Sequence, residues 1–150
     1  MINRRNFLTY TASLTAASFI MPSEILKSKA LLNKIGVQFF SLPKSLDADF
    51  KGTVEMLAKI GYKEVELFGP FPFSDEGAKK SWDSVTGFLG FKGSGYFGHT
   101  AAEVKNILKS NGLAITSLHT DFATLQHNMD KLGEAAQTLG NTYVVLPAVP

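Results

Sequence analysis

A parallel α/β fold is what this chain predicts, on three observations. An amphipathic helical stretch runs into a glycine, with a short apolar strand directly after it, in Met56-Leu57-Ala58-Lys59-Ile60-Gly61 before Tyr62 to Phe68. The same order returns at Ile107 to Gly112 before Leu113 to His119, and at Ala135 to Gly140 before Thr142 to Pro147. Helix, glycine and strand with no room for a hairpin require parallel strands joined by crossover helices. In such folds the loops leaving the C-terminal strand ends build the working face.

The first stretch of the 150 residues reads as a leader. Asn3-Arg4-Arg5-Asn6-Phe7-Leu8 is a twin-arginine pattern, followed by a weakly apolar run from Thr9 to Met21. That order addresses a bacterial protein to the twin-arginine export route, and so to the periplasm or beyond. The run is too short and too rich in Thr, Ser and Ala to span a membrane. Ser28-Lys29-Ala30 offers small residues where a signal peptidase reads, and a site nearer Pro22 is the alternative. The expected division is a leader over 1–30 and a domain over 31–150. The leader holds Arg4, Arg5, Lys27 and Lys29 against Glu24, so the remainder is near neutral with acids slightly in excess. No basic stripe is left to hold nucleic acid. The absence of cysteine excludes disulfides, thiolate metal sites and a thiol nucleophile.

The domain opens with a strand predicted over Lys34 to Leu42. Asp47 or Asp49 can cap the first helix, which runs to Ile60 with Val54, Leu57, Ala58 and Ile60 as its buried stripe. Gly61 ends it, and the second strand is Glu64 to Phe68. Thr100-Ala101-Ala102-Glu103 is a capping box that starts the next helix, and the third strand is Ala114 to His119. A last helix over Gln126 to Leu139 leads to a fourth strand, Tyr143 to Leu146. The insertion at about 70–99 is far longer than an ordinary strand-to-helix loop. It is rich in Gly and Phe, carries the only tryptophan, Trp82, and allows one short helix near Gly77 to Val85. Either it walls a ligand pocket or it packs its own aromatics as a separate excursion. The last strand has no helix after it, so a sheet needing cover on both faces reads as part of a larger fold.

Gly93-Ser94-Gly95-Tyr96-Phe97-Gly98 matches the Gly-x-Gly-x-x-Gly spelling, with Asp121 near the place of a ribose-binding acid. Its context argues against a dinucleotide site, because Phe88-Leu89-Gly90-Phe91-Lys92 is no buried strand and Thr100 caps the helix beyond the third glycine. Strand parity gives better candidates. Glu64, Glu66 and Phe68 share one face of the second strand, and Glu66 is an acid in an apolar strand near its C-terminal end. It is either a satisfied buried acid or a ligand or metal contact. His119 ends the third strand, as a satisfied core histidine or as a group for a sugar hydroxyl or proton transfer. Gln38 and Phe40, on one face of the first strand, would add an amide and an apolar platform. His99 borders the insertion and His127 belongs on a helix surface. His119 with Asp121 is too small a set to argue a metal site, and no Gly-x-Ser-x-Gly or Walker loop is present.

Ile35 to Leu42 followed by Gly61 to Gly69 resembles the opening of sugar phosphate isomerase/epimerase proteins of the xylose isomerase-like superfamily. Thr100 to Val104, Asn111 to Leu113 and Ser117 to His119 are similar to that family's second helix and third strand. Leu139-Gly140 into Tyr143 to Pro147 resembles the approach to its fourth strand. The resemblance implies a (β/α)8 TIM barrel, present here as roughly its first half, β-α-β-α-β-α-β. It implies a sugar or sugar-derivative substrate, a divalent metal (Mn, Mg, Zn or Co), and proton transfer next to a carbonyl between two glutamates. The family's catalytic and metal-binding residues belong to later strands and are expected beyond Pro150. This chain would then supply only substrate contacts, Gln38, Phe40, Glu66 and His119, and be inactive alone. A carbohydrate-binding barrel without catalysis, or an inactive fragment, are the alternatives. DNA-repair nucleases share the superfamily, and the charge balance and leader speak against them.

Overall fold

The computed structural model describes residues 34–148; the twin-arginine pattern and the leader lie outside the described residues. Four parallel strands form one sheet in the order β1-β2-β3-β4, over Gly36–Gln38, Glu64–Phe68, Ala114–His119 and Tyr143–Val145. The helices are α1 (Pro43–Ala48), α2 (Phe50–Ile60), α3 (Glu76–Leu89), α4 (Ala101–Ser110), α5 (Phe122–His127) and α6 (Met129–Leu139). α2 packs on α4 and α4 on α6, so the crossover helices stand in a row on one side of the sheet. Sequential strand order with helices on one side is the winding of a barrel arc, unlike the reversing order of a doubly wound sheet.

The core lies between that helix row and the sheet. Val54 and Leu57 of α2, Val104 and Leu108 of α4, and Leu132 and Leu139 of α6 bury against Val65, Leu67, Ile115 and Leu118. α2 is capped by Asp49, whose carboxylate accepts from the Gly52 amide at 2.9 Å. It ends at Gly61 with φ +114°, a conformation only glycine adopts without strain, which lets the Gly61 and Tyr62 amides satisfy the last turn's carbonyls. Ile60, expected in the buried stripe, is exposed because it closes the helix beyond the packed interface.

Other boundaries differ for local reasons. β1 stops at Gln38 rather than Leu42: Phe39 turns into the core as a 3-10 turn begins, and Pro43 then starts α1. The stretch expected as one first helix is two, α1 and α2, divided at Asp49. The expected last helix is also divided, because Asp121 caps the short α5 before α6 begins at Met129. The capping box of α4 forms in both halves, through Glu103 N–H to the Thr100 hydroxyl and Thr100 N–H to the Glu103 carboxylate.

The insertion is a built part of the domain. Phe97 stacks on Phe50 with ring centroids 5.5 Å apart and meets Phe68 edge-on at 5.6 Å. Gly95 sits at φ +59°, where an added Cβ would lie 2.7 Å from the Pro70 carbonyl oxygen. Gly95→Ala is therefore expected to destabilise by more than about 1 kcal/mol, combining backbone strain with a clash against main chain. Gly98→Ala, at φ +81° but in open space, should lose only the backbone share. Urea melts of the two variants check this, and equal losses would show that the close approach carries no strain.

Candidate functional site

The C-terminal halves of β1, β2 and β3 bring together four polar side chains. Glu66 pairs laterally with Gln38 on one side and Ser117 on the other, so all three face the same way. A bulge in the β2–β3 register makes this possible. Val65 pairs with Ile115 and Glu66 with Ser117, leaving Thr116 as the extra residue. Without it, Ser117 would share the face of Ile115, toward the helices. The bulge turns Ser117 and His119 to the face of Glu66.

Within the cluster, Gln38 Nε2 donates to Glu66 Oε1 at 2.9 Å, and the Ser117 hydroxyl donates to Glu66 Oε2. His119 Nε2 lies 2.9 Å from Glu66 Oε1, and His119 Nδ1 lies 3.0 Å from Gln38 Nε2. Gln38 Nε2 lies almost equally near both ring nitrogens of His119, at 3.0 Å from Nδ1 and 3.1 Å from Nε2. Glu66 is thus the hub on which a glutamine, a serine and a histidine are oriented. Its side chain is 23% exposed and that of His119 20%.

Above the cluster opens a cleft of about 910 Å³. Gln38 and His119 contribute to its lining, and so do Phe40, Phe68 and Thr120; Glu66 stands behind them. Phe40 reaches the cleft from the 3-10 turn, not from the face of β1 expected to carry it. Its ring meets Phe68 edge-on at 5.1 Å. α3 of the insertion supplies one wall with Ala78, Ser81, Trp82 and Val85, which recur at helical spacing on one side. Trp82 is fixed by its indole N–H, which donates to the Lys92 carbonyl at 3.0 Å, and it leans on Phe68 and Phe91. Thr120 is 4% exposed, and its buried hydroxyl has no hydrogen-bond partner among the described residues. Buried hydroxyls are normally satisfied, so this one, in a residue that borders the cleft, stands out.

Ser117 and Thr120 were not among the site residues expected from sequence, whereas a pocket wall was one of the two readings of the insertion and α3 supplies it. A small polar residue two positions before His119 was the available signal for Ser117, but the bulge that gives it its facing leaves no trace in residue spacing.

The glycine-rich turn has another role than its spelling suggests. The Lys92 and Gly93 amides both donate to the Asp47 carboxylate, at 3.0 and 2.8 Å, and the Gly95 amide donates to the Phe68 carbonyl at 2.8 Å. These donors, which a phosphate would need, are bound within the protein. His99 packs its ring on Phe50 at 5.1 Å, and Asp121 caps α5 through the Thr124 amide. Glu66 and His119 give one carboxylate and one imidazole. No group of three His, Asp or Glu able to hold a metal ion converges among the described residues, so these side chains alone do not form a metal shell.

Two carboxylates border the cleft, Asp75 and Asp121. Asp75 caps α3 and meets His127 Nδ1 at 3.0 Å. The hydrogen bond with His127, then that with the Gly77 amide, holds the Asp75 carboxyl below its ordinary 3.8. The unfolded chain therefore takes up this proton first on acidification. Stabilisation by Asp75 is full above the ordinary carboxylate value and is lost as pH falls through the lowered one. The melting temperature of the parent should exceed that of Asp75→Asn above the ordinary carboxylate value, and the margin should shrink as pH falls through the lowered one. A margin that persists into strong acid would refute the role of the charge.

No protein-family model and no curated protein matches the chain. Among solved structures it is similar to a sugar phosphate isomerase/epimerase from Parabacteroides distasonis ATCC 8503, at 25% identity and a TM-score of 0.49, over 83% of this chain and 42% of that one. The chain spans less than half the length of that structure. Among the described residues no helix is long and apolar enough to cross a membrane. Strand order and parallel register establish the fold independently of the likeness.

Proposed function

We propose that this chain is the first half of a sugar isomerase- or epimerase-like barrel and that the cleft over β1–β3 holds a sugar. The observation that carries it is the Gln38–Glu66–Ser117–His119 cluster at the C-terminal strand ends, under a cleft with aromatic walls and an unpartnered Thr120 hydroxyl. Hydroxyl-rich ligands need such a mixture of oriented polar groups and flat apolar surface. In this reading Gln38 and His119 touch substrate hydroxyls, Phe40 supplies apolar surface, and Glu66 positions its partners. A divalent metal (Mn, Mg, Zn or Co) would polarise a carbonyl during proton transfer, and it would need ligands beyond the pair described here.

Calorimetric titration of the chain with aldoses, ketoses and their phosphate esters tests binding. Absence of heat with all of them would overturn the proposal. Thr120→Val is expected to leave stability unchanged or slightly raised, since it removes a buried hydroxyl without a partner, and to weaken sugar binding several-fold. Solvent deuterium exchange at the carbon next to the carbonyl, followed by proton NMR on the product of the complete reading frame with each metal, separates an isomerase or epimerase from a binding protein. Export belongs to the same proposal. Residues 1–30 should carry a folded reporter to the periplasm, and replacing Arg4 and Arg5 by lysine should stop it.

A further inference from the structure

We infer that the cleft selects an uncharged sugar carrying an apolar substituent and discriminates against phosphorylated sugars. The inference rests on the sugar-binding reading of this site and names its substrate class.

Charge is the first argument. Among the described residues that line the cleft there is no lysine or arginine, while Asp75 and Asp121 are both carboxylates and Glu66 lies behind His119. Lys79 and Lys80 lie on α3 but outside its cleft-lining set, and Lys79 is paired with Glu76 at 2.9 Å. The N-termini of α3 and α5 both border the cleft, and a helix N-terminus ordinarily attracts a phosphate. Here each is already capped by a carboxylate, Asp75 on the Gly77 amide and Asp121 on the Thr124 amide, both at 2.8 Å. Their positive ends are neutralised. Among the described residues lining the cleft, a phosphate dianion would meet two like charges and no cation.

Apolar surface is the second. Phe40, Val85 and Phe122 line the cleft and remain 46%, 42% and 37% exposed, an unusual concentration of large apolar side chains in water at one place. Trp82 stands beside them with its indole N–H already engaged, so what it offers a ligand is its ring. The cleft, of about 910 Å³, is within the range of small-molecule sites. The polar groups Gln38, His119 and Thr120 take the sugar, and the α3 wall takes the substituent, as in an aryl glycoside.

Trp82 is the only tryptophan of the chain, so its emission, excited at its red edge, reports binding at this wall. The full chain is titrated with glucose, fructose and xylose, with their phosphate esters, and with the methyl and phenyl glycosides of glucose and xylose. Phenyl glycosides should bind at least about tenfold tighter than methyl glycosides, and free sugars at least about tenfold tighter than their phosphates at low salt. The phosphate penalty should shrink as ionic strength rises. Read by calorimetry, because the variant has no tryptophan emission, Trp82→Ala should remove most of the phenyl preference. Val85→Ser, at a half-exposed position where folding is not at stake, should reduce it, and Val85→Lys should reduce the phosphate penalty. Phosphate esters binding as tightly as free sugars, or phenyl glycosides gaining nothing over methyl, would overturn the inference while leaving sugar binding intact. Emission and calorimetric heat unchanged by every ligand would instead remove the sugar-binding reading, and this inference with it.

Discussion

Replacing Glu66 with alanine is expected to cost about 2–4 kcal/mol of stability and to abolish sugar binding. The reason is the number of groups it holds. Gln38 Nε2, the Ser117 hydroxyl and His119 Nε2 all converge on its two oxygens, in a cluster mostly shielded from water. Truncation leaves three donors without their acceptor, which is worse than never having built the cluster. Glu66→Gln separates charge from shape. Its carbonyl can face Gln38 and His119 while its amide faces Ser117, whose hydroxyl rotates to accept. That variant should lose less than about 1 kcal/mol and keep the cleft's geometry. Urea unfolding of both measures the difference. An alanine variant within about 0.5 kcal/mol of the parent would mean that the cluster contributes nothing to the fold.

Phe39→Ala should have the largest effect on stability, about 3–5 kcal/mol. Phe39 is fully buried, with its ring edge-on to Phe50 at 6.0 Å and to Phe97 at 6.4 Å. Its loss opens a cavity between the first crossover helix and the turn that anchors the insertion. The melting temperature should fall by more than about 10 °C for a domain of this size. Trp82 emission should shift to the red in the native baseline, because the insertion loosens with Phe97. Phe88→Ala is the control: that ring is 94% exposed on α3 and should change stability by no more than about 0.5 kcal/mol. A small effect at Phe39 with an intact native baseline would show that Phe50 and Phe97 close the gap between them.

The parallel winding was legible because three glycines each end a helix directly before an apolar strand. β2 and β3 were legible to the residue, since Glu64 to Phe68 and Ala114 to His119 have clear turn signals before them. β1 was overread. Val37, Phe39, Phe40 and Leu42 look like continuing strand, but Phe39–Ser41 form a 3-10 turn and Pro43 begins a helix. Glu66 and His119 stood out as polar groups in apolar strands. Their meeting did not, because contact between neighbouring strands depends on register, and the register carries a bulge at Thr116. The insertion was open to reading as a pocket wall, but which of its side chains line the cleft was not legible. A Gly- and Phe-rich stretch has no single period, and only packing shows that Trp82 belongs to the cleft while Phe88 faces water.

Asp47 has a bearing on how this fold can vary in evolution. One carboxylate on α1 holds the amides of Lys92 and Gly93, so the excursion between β2 and α4 is fastened to a residue more than forty positions earlier in the chain. Transplanted alone onto a related sheet, residues 70–99 would take their helix and tryptophan with them and leave the Asp47 carboxylate behind. The excursion is not a portable module. Changes to the excursion therefore reach α1, through the two amides that Asp47 holds.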